Sequence, residues 1–323
     1  MIEKLKVHNK LLFFISFFFF LLAIYFLYDV LKDRKHELFS LKIDFSSFRF
    51  FLYCSLILVL QFLNWFFEAL KFYVLFHSSE RISLFSSLKA VYAGNFTAFF
   101  TPDRIGTFIG RIGVLQKHSK LKITALTAIG NLSQLMATVF FGFIAFLTLS
   151  LQSHSLLEID FNQLLFLQGL FLLLFFSLIV LFVYPYSFLM LFKRWPIVGG
   201  FIERLVYVKE ISGSVKLKII VVSLLRFLVF YLQYLLLVNF FQIDFSFVDV
   251  LIFVGVLYGL VTFIPSPFLG NFGTREALAL YLSSATTLGL IGPLISLLVW
   301  FVNVGFSALI GGVVLLFIKY KLS

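Results

Sequence analysis

Residues 123–192 contain no lysine or arginine, and Leu, Phe, Ile and Val fill most of them. A helix crosses the hydrocarbon layer of a bilayer, about 30 Å thick, with about 20 apolar residues at about 1.5 Å each. Runs of that kind recur at 11–28, 50–70, 123–150, 163–192, 219–241 and 294–318. Composition agrees: 61% of the 323 residues are hydrophobic and 13% charged, against about 45–50% and about 25% in soluble domains. A chain this apolar cannot clothe a water-facing surface. That excludes a soluble enzyme, a disordered chain and a soluble nucleic-acid binder. The sequence therefore reads as an all-α polytopic membrane protein, one membrane domain over 1–323 with about six transmembrane helices.

The first run follows Lys4, Lys6 and Lys10 as a signal peptide would, but no small-residue cleavage site comes after it, so it reads as a retained anchor. The net charge of +11 fits basic cytoplasmic loops and anionic headgroups without invoking nucleic acid. Residues 193–218 carry six basic and two acidic residues, whereas the connections near Glu158 and Asp160 and near Asp244 and Asp249 are acidic. The acidic connections then face outward and both termini face the cytoplasm, in an inner membrane. The 29–49 segment, with five basic and four acidic residues, must lie outside. A single cysteine, Cys54, rules out an internal disulfide, and the five histidines have no metal-ligand spacing. No nucleophile constellation, metal set, cofactor motif or nucleotide site is evident, so the chain is not expected to be an enzyme.

Two apolar stretches, 86–101 and 249–264, are too short to cross. The first stops at Pro102 and continues through Asp103, Arg104, Gly106, Gly110 and Arg111; the second stops at Pro265 and continues through Gly270, Asn271, Gly273, Thr274, Arg275 and Glu276. Charge topology makes both re-entrant hairpins, at 86–116 and 249–292, dipping from opposite faces. The two halves, about 1–160 and 161–323, then form an inverted repeat of the kind that secondary transporters use around a midplane cavity. Non-helical backbone at that depth requires surrounding protein or water.

Arg104, Arg111, Arg275 and Glu276 fall at the breaks, and Asn64 and Glu68 lie within a crossing. Each charge at the bilayer centre costs about 2.5–3.5 kcal/mol on insertion scales. Helix restarts at Pro102–Arg104 and Gly273–Arg275 would present amide groups and guanidinium forks that match phosphate oxygens. Plainer readings stand beside this one. Glu68 can simply pair with Lys71, and Arg226, seven residues into its run, can snorkel to the interface. Arg275 and Glu276 can lock their own hairpin. Asn131, Gln134 and Asn303 read as interhelical glue.

Thr101–Gly106 and, more strongly, Phe263–Pro265 through Gly270, Gly273, Arg275, Glu276 and Ala277 resemble the two signature regions of the lysylphosphatidylglycerol synthase transmembrane-region family of flippase-like membrane proteins. The first signature commonly has an acidic residue where this chain has Thr107, and Glu68 is the nearest substitute. The resemblance implies translocation of an anionic or zwitterionic phospholipid, or of a polyprenyl-phosphate-linked lipid, between leaflets. It also suggests a homo-oligomer or a lipid-modifying partner enzyme. Because the sequence ends directly after its last crossing, lipid synthesis by this chain is not expected. The alternatives are a transporter of small anions and a non-catalytic partner of a lipid-modifying or glycosyl-transferring enzyme.

Overall fold

The computed structural model describes residues 46–78, 80–151, 160–190, 211–265, 270–284 and 286–320, with residues 21, 25, 28, 29, 32 and 44. The crossing expected at 11–28 and most of the 29–49 connection lie outside the described residues. Among the described residues every regular element is helical, and five helices are long and apolar enough to cross a membrane. The protein is an all-α, multi-pass membrane protein.

In chain order the helices are α1 (Phe48–His77), α2 (Leu84–Phe99), α3 (Gly106–Val114), α4 (Lys120–Leu151), α5 (Phe161–Val183), the short α6 (Pro185–Met190), α7 (Gly213–Phe240), α8 (Phe247–Val261), α9 (Thr274–Ser283), α10 (Ile291–Trp300) and α11 (Ser307–Tyr320). A π-helical turn, Phe301–Phe306, joins α10 to α11 into one long crossing. The run expected to cross over 163–192 ends early. Pro185 disfavours helical backbone at the residue before it, and the chain kinks at Tyr184. At α7 the boundary moves the other way: Ser212 caps the helix by accepting from Val215 N, so α7 begins at Gly213, six residues before the apolar run.

Contacts at the helix ends fix the path of both broken segments. Glu80, before α2, meets His118 and Lys122, after α3, with Lys122 Nζ 2.7 Å from Glu80 Oε1. At the opposite end of α1, Arg49 Nη2 donates to Asn239 O at 2.6 Å. There Thr287 Oγ1, after α9, donates to Asp244 O, before α8, at 3.1 Å. The α2–α3 hairpin therefore leaves and rejoins one end of the bundle, and the α8–α9 hairpin leaves and rejoins the other. Between them α1 packs on α7, α2 on α11 and α8 on α4. Likewise α1 touches α4 and α7 touches α10.

The first break differs from the expected restart at Pro102. Pro102–Arg104 form a 3-10 turn closed by Ile105 N donating to Pro102 O at 3.0 Å. Asp103 and Arg104 take left-handed backbone, at φ 46° and 59°, which halts an α-helix of L-residues. The chain turns helical again at Gly106, whose N–H donates to Thr101 Oγ1 at 2.7 Å. At the second break Gly270, Asn271 and Gly273 all have positive φ, and α9 starts at Thr274.

Gly106 and Gly110 let α3 lie against α2 with backbones touching: a Cβ on Gly110 would stand 2.2 Å from Ala93 O. Gly113, on the same helix, has nothing within 4 Å. Gly110→Ala is expected to lower the thermal unfolding midpoint, with overpacking costing about 1–3 kcal/mol. Gly113→Ala should raise it, since helix interiors favour Ala by about 1 kcal/mol. A melt of the two variants in one detergent checks the pair, and equal effects would contradict the close approach.

Glu80 adds a pH dependence outside the membrane-spanning segments. The bond from Lys122, then that from His118, holds its carboxyl below the ordinary glutamate range. A depressed acid stabilises the fold above its unfolded pKa of about 4.3 and loses that contribution as pH falls through the lower folded value. Glu80→Gln should therefore be less stable than wild type at neutral pH, and the gap should close below about pH 4. Unfolding midpoints measured across pH test this, and a gap that persists in acid would contradict it.

Candidate functional site

The tip of the first hairpin and the inner end of α8 border a cavity of about 350 Å³. The first hairpin contributes Asn95, Asp103, Arg104, Thr107, Phe108 and Arg111; α1 contributes Trp65 and Glu68; α4 contributes Asn131, Gln134, Leu135 and Thr138. Arg226, Phe227 and Phe230 come from α7, and Tyr258 and Thr262 from the inner end of α8 and the turn after it.

Glu68 organises the charges. It is 3% exposed; Oε1 accepts from Arg111 Nη2 and Oε2 from Arg226 Nη1, each at 2.7 Å. Lys71 Nζ forms an ion pair with Oε2 at 2.9 Å. The pairing of Glu68 with Lys71 is thus real but is one of three. Arg226 does not snorkel. With α7 beginning at Gly213, it stands at the middle of the helix's 28 residues, about 20 Å from either end. The interface is out of reach of its side chain, and Arg226 instead bonds Glu68, Asn64 Oδ1 at 2.6 Å and Gln134 Oε1 at 3.3 Å.

From Arg226 a relay of hydrogen bonds runs away from the cavity. Asn64 Nδ2 donates to Asn303 Oδ1 at 2.7 Å, and Asn303 Nδ2 to Gln233 Oε1 at 2.8 Å. Asn303 sits in the π-helical turn, a distortion that tends to mark functional positions. Asn64 is therefore a supporting residue rather than part of the cavity wall, and Asn303 is the glue expected. Asn131 and Gln134, also expected as glue, line the cavity.

Arg104 is held differently. It donates to Asn95 Oδ1 at 3.1 Å and lies 5.9 Å above the Trp65 ring, which Arg226 approaches at 4.9 Å. Among the described residues no carboxylate pairs with Arg104. Two buried donors of lining residues, Arg111 Nε and Asn95 Nδ2, have no hydrogen-bond acceptor. Among the described residues, Arg104, Arg111 and Arg226 line the cavity against the carboxylates of Glu68 and Asp103, an excess of one, and Lys71, behind Glu68, adds a further positive charge. A buried donor without an acceptor costs about 1–3 kcal/mol, and the arrangement is suited to accept anionic oxygens.

The second hairpin's polar residues turn inward on themselves. Glu276 Oε2 accepts from Gly273 N at 2.7 Å, capping α9, and Oε1 accepts from Arg275 Nη2. Arg275 Nε donates to Ser296 Oγ at 2.9 Å and Nη2 also to Ser296 O at 3.1 Å, tying α9 to α10. Asn271 O accepts from Thr274 Oγ1 and Arg275 N. The restart expected to offer a free amide and guanidinium to a ligand is instead filled by the adjacent glutamate. Arg275, Glu276, Asn271, Thr274, Pro265, Gly270 and Gly273 do not line the cavity. This hairpin reaches it through Tyr258 and Thr262, and Trp300 packs between the tips, 6.2 Å from the Phe99 ring and 4.9 Å from that of Phe272. Gly106 and Gly110 carry α3, and Pro102 begins the turn that presents Arg104.

Gln61 and Thr138, overlooked in the sequence, share a readable signal with residues that were named there. Gln61, Asn64 and Glu68 on α1, and Asn131, Gln134 and Thr138 on α4, are each spaced i, i+3 or i+4, i+7, a polar stripe on a membrane helix. Where the family pattern leads one to expect an acid at 107, Thr107 is buried beside the cavity, and Glu68 supplies the carboxylate that meets Arg111.

A comparison with curated proteins returns no match. The family model for the lysylphosphatidylglycerol synthase TM region matches residues 13–311. Both signature regions and the cavity between them fall inside that span, and the chain belongs to the lysylphosphatidylglycerol synthase transmembrane-region family.

Proposed function

We propose that the protein is a flippase-like transporter that carries a lipid phosphate between leaflets, with the cavity as its headgroup site. The observation that carries this reading is the excess of positive charge among the described residues, one in the cavity lining and a second on Lys71 behind Glu68, together with two unaccepted donors, at a cavity bordered by the first hairpin's tip and the inner end of α8. Arg104 and Arg111 hold the phosphate, while Glu68 and Arg226 keep the cluster in place when no lipid is bound. Arg275 and Glu276 fix the second tip. A volume of about 350 Å³ lies at the small end of ligand pockets, which suits a headgroup whose chains stay outside. At the start of α3 and along it, the residues between the lining positions, Ile105 and Ile109, are 56% and 60% exposed. They place hydrocarbon one helix width, about 10 Å, from the cavity.

In this reading both hairpins are re-entrant, and the paired packing of α2 on α11 and α8 on α4 reflects an inverted repeat. In the same reading the basic segments support a cytoplasmic location for both termini, in a cell with an inner membrane. The chain moves its lipid rather than making or breaking a bond in it.

Reconstitution in vesicles with fluorescent phospholipids tests the proposal. Leaflet exchange faster than in protein-free vesicles is expected for anionic headgroups, and exchange at the protein-free rate for all headgroups would overturn it. Uptake of a soluble organic or inorganic anion without lipid exchange would favour the small-anion alternative, which uses the same arginines.

A further inference from the structure

A second cavity, of about 370 Å³, lies between α1, α7 and α10 at the end of the bundle where α1 begins. Its lining is hydrocarbon and aromatic: Phe50, Tyr53, Ile57 and Leu58 from α1, Leu237 and Phe240 from α7, and neighbours on α10 and the π-turn. Ile57 and Leu237 are buried and form its inner wall. The slot is separate from the polar cavity. Along α1, Ile57 is about 16 Å from Glu68, and the buried side chains of Gln61 and Asn64 intervene.

Arg49 stands at the slot's outer edge. Its guanidinium donates to Asn239 O at 2.6 Å and lies 5.5 Å above the ring of Tyr53, itself part of the wall. Both partners are neutral, and among the described residues no carboxylate pairs with Arg49. At this end Asp44 accepts from Ser46, and Asp249 caps α8 with Ser246. A cation held by neutral groups above an apolar slot, in a protein that lies in a bilayer, matches an amphiphile with a negative head. A methylene takes up about as much room as a water in the liquid, roughly 30 Å³, so the slot admits about a dozen methylenes of one acyl chain.

We infer that this slot is a binding site for one anionic phospholipid, with an acyl chain between α1 and α7 and its phosphate on Arg49. The site rests on different residues from the headgroup cavity and stands or falls independently of the transport reading. It holds its lipid in the leaflet at the opposite end of the bundle from Glu80 and His118.

Cys54, the chain's single cysteine, lines the slot and is exposed, so its alkylation reports occupancy. In detergent, dioleoyl phosphatidylglycerol should slow maleimide labelling of the full chain at least fivefold, and dioleoyl phosphatidylcholine should slow it much less. Arg49→Gln should erase the difference between the two lipids. Ile57→Trp, which fills the slot, should abolish the response to either; Leu58→Trp replaces it if that variant elutes aggregated. Labelling unaffected by phosphatidylglycerol would overturn the inference. Equal protection by both lipids in the wild type, or protection unchanged in Arg49→Gln, would overturn it too by showing nonspecific coating.

Discussion

Glutamine in place of Glu68 is expected to be the most destabilising conservative change in the chain. The variant keeps the shape and one acceptor oxygen but leaves Arg111, Arg226 and Lys71, which are 3%, 9% and 1% exposed, without their shared counter-charge. Breaking a buried ion pair from one side costs about 3–5 kcal/mol, since the orphaned charge stays out of water. The expected readout is a large drop in thermal midpoint and in yield of monodisperse protein. Adding Lys71→Met to Glu68→Gln should recover part of the loss, because removing one cation relieves the same imbalance and the two changes are not additive. A Glu68→Gln protein as stable as wild type would show that the three cations do not depend on this carboxylate.

Arg104→Ala should behave in the opposite manner, stable but inactive. Arg104 is half-buried, bonds one neutral side chain and stands over Trp65, so its loss opens no buried ion pair. It is also the cation with the most capacity left for a ligand. A hydrogen bond to a charged group is worth about 1.5–3 kcal/mol, so affinity for a lipid phosphate should fall about 10–100-fold with little change in the unfolding midpoint. Arg104→Lys should restore part of the binding, since it keeps the charge but not the planar fork. Parallel titrations with a fluorescent anionic lipid and parallel melts measure both quantities. Loss of stability without loss of binding would assign Arg104 to structure.

Much of the architecture was legible because the membrane penalises exceptions. The runs over 123–150 and 294–318 fall within helices that extend a few residues beyond them, to Lys120–Leu151 and Ile291–Tyr320, since hydrocarbon tolerates no free backbone. Pro102 and the glycines at 270 and 273 marked the breaks because they are backbone instructions that local sequence carries. What stayed hidden depends on neighbours remote in sequence. Arg226 looked like an interfacial residue until Ser212 proved to start the helix, which moved the arginine to mid-depth beside Glu68, 158 positions away. Arg275 looked available to a ligand, but the glutamate beside it and Ser296, 21 positions on, take up its donors. Asp103 and Arg104 are ordinary L-residues whose left-handed backbone no composition rule announces. Asn95 lies inside the apolar run 86–101, where nothing local marks it as the residue that accepts from Arg104.

The central claim is that the cavity between the hairpin tips receives a lipid phosphate. Its most direct test is an experimental structure of the protein in a phospholipid nanodisc doped with an anionic lipid. The account predicts headgroup density inside the cavity, with phosphate oxygens within hydrogen-bonding distance of Arg104 and Arg111 and acyl density running out beside α3. A well-ordered cavity holding water alone, with every resolved headgroup at the membrane surfaces, would contradict it.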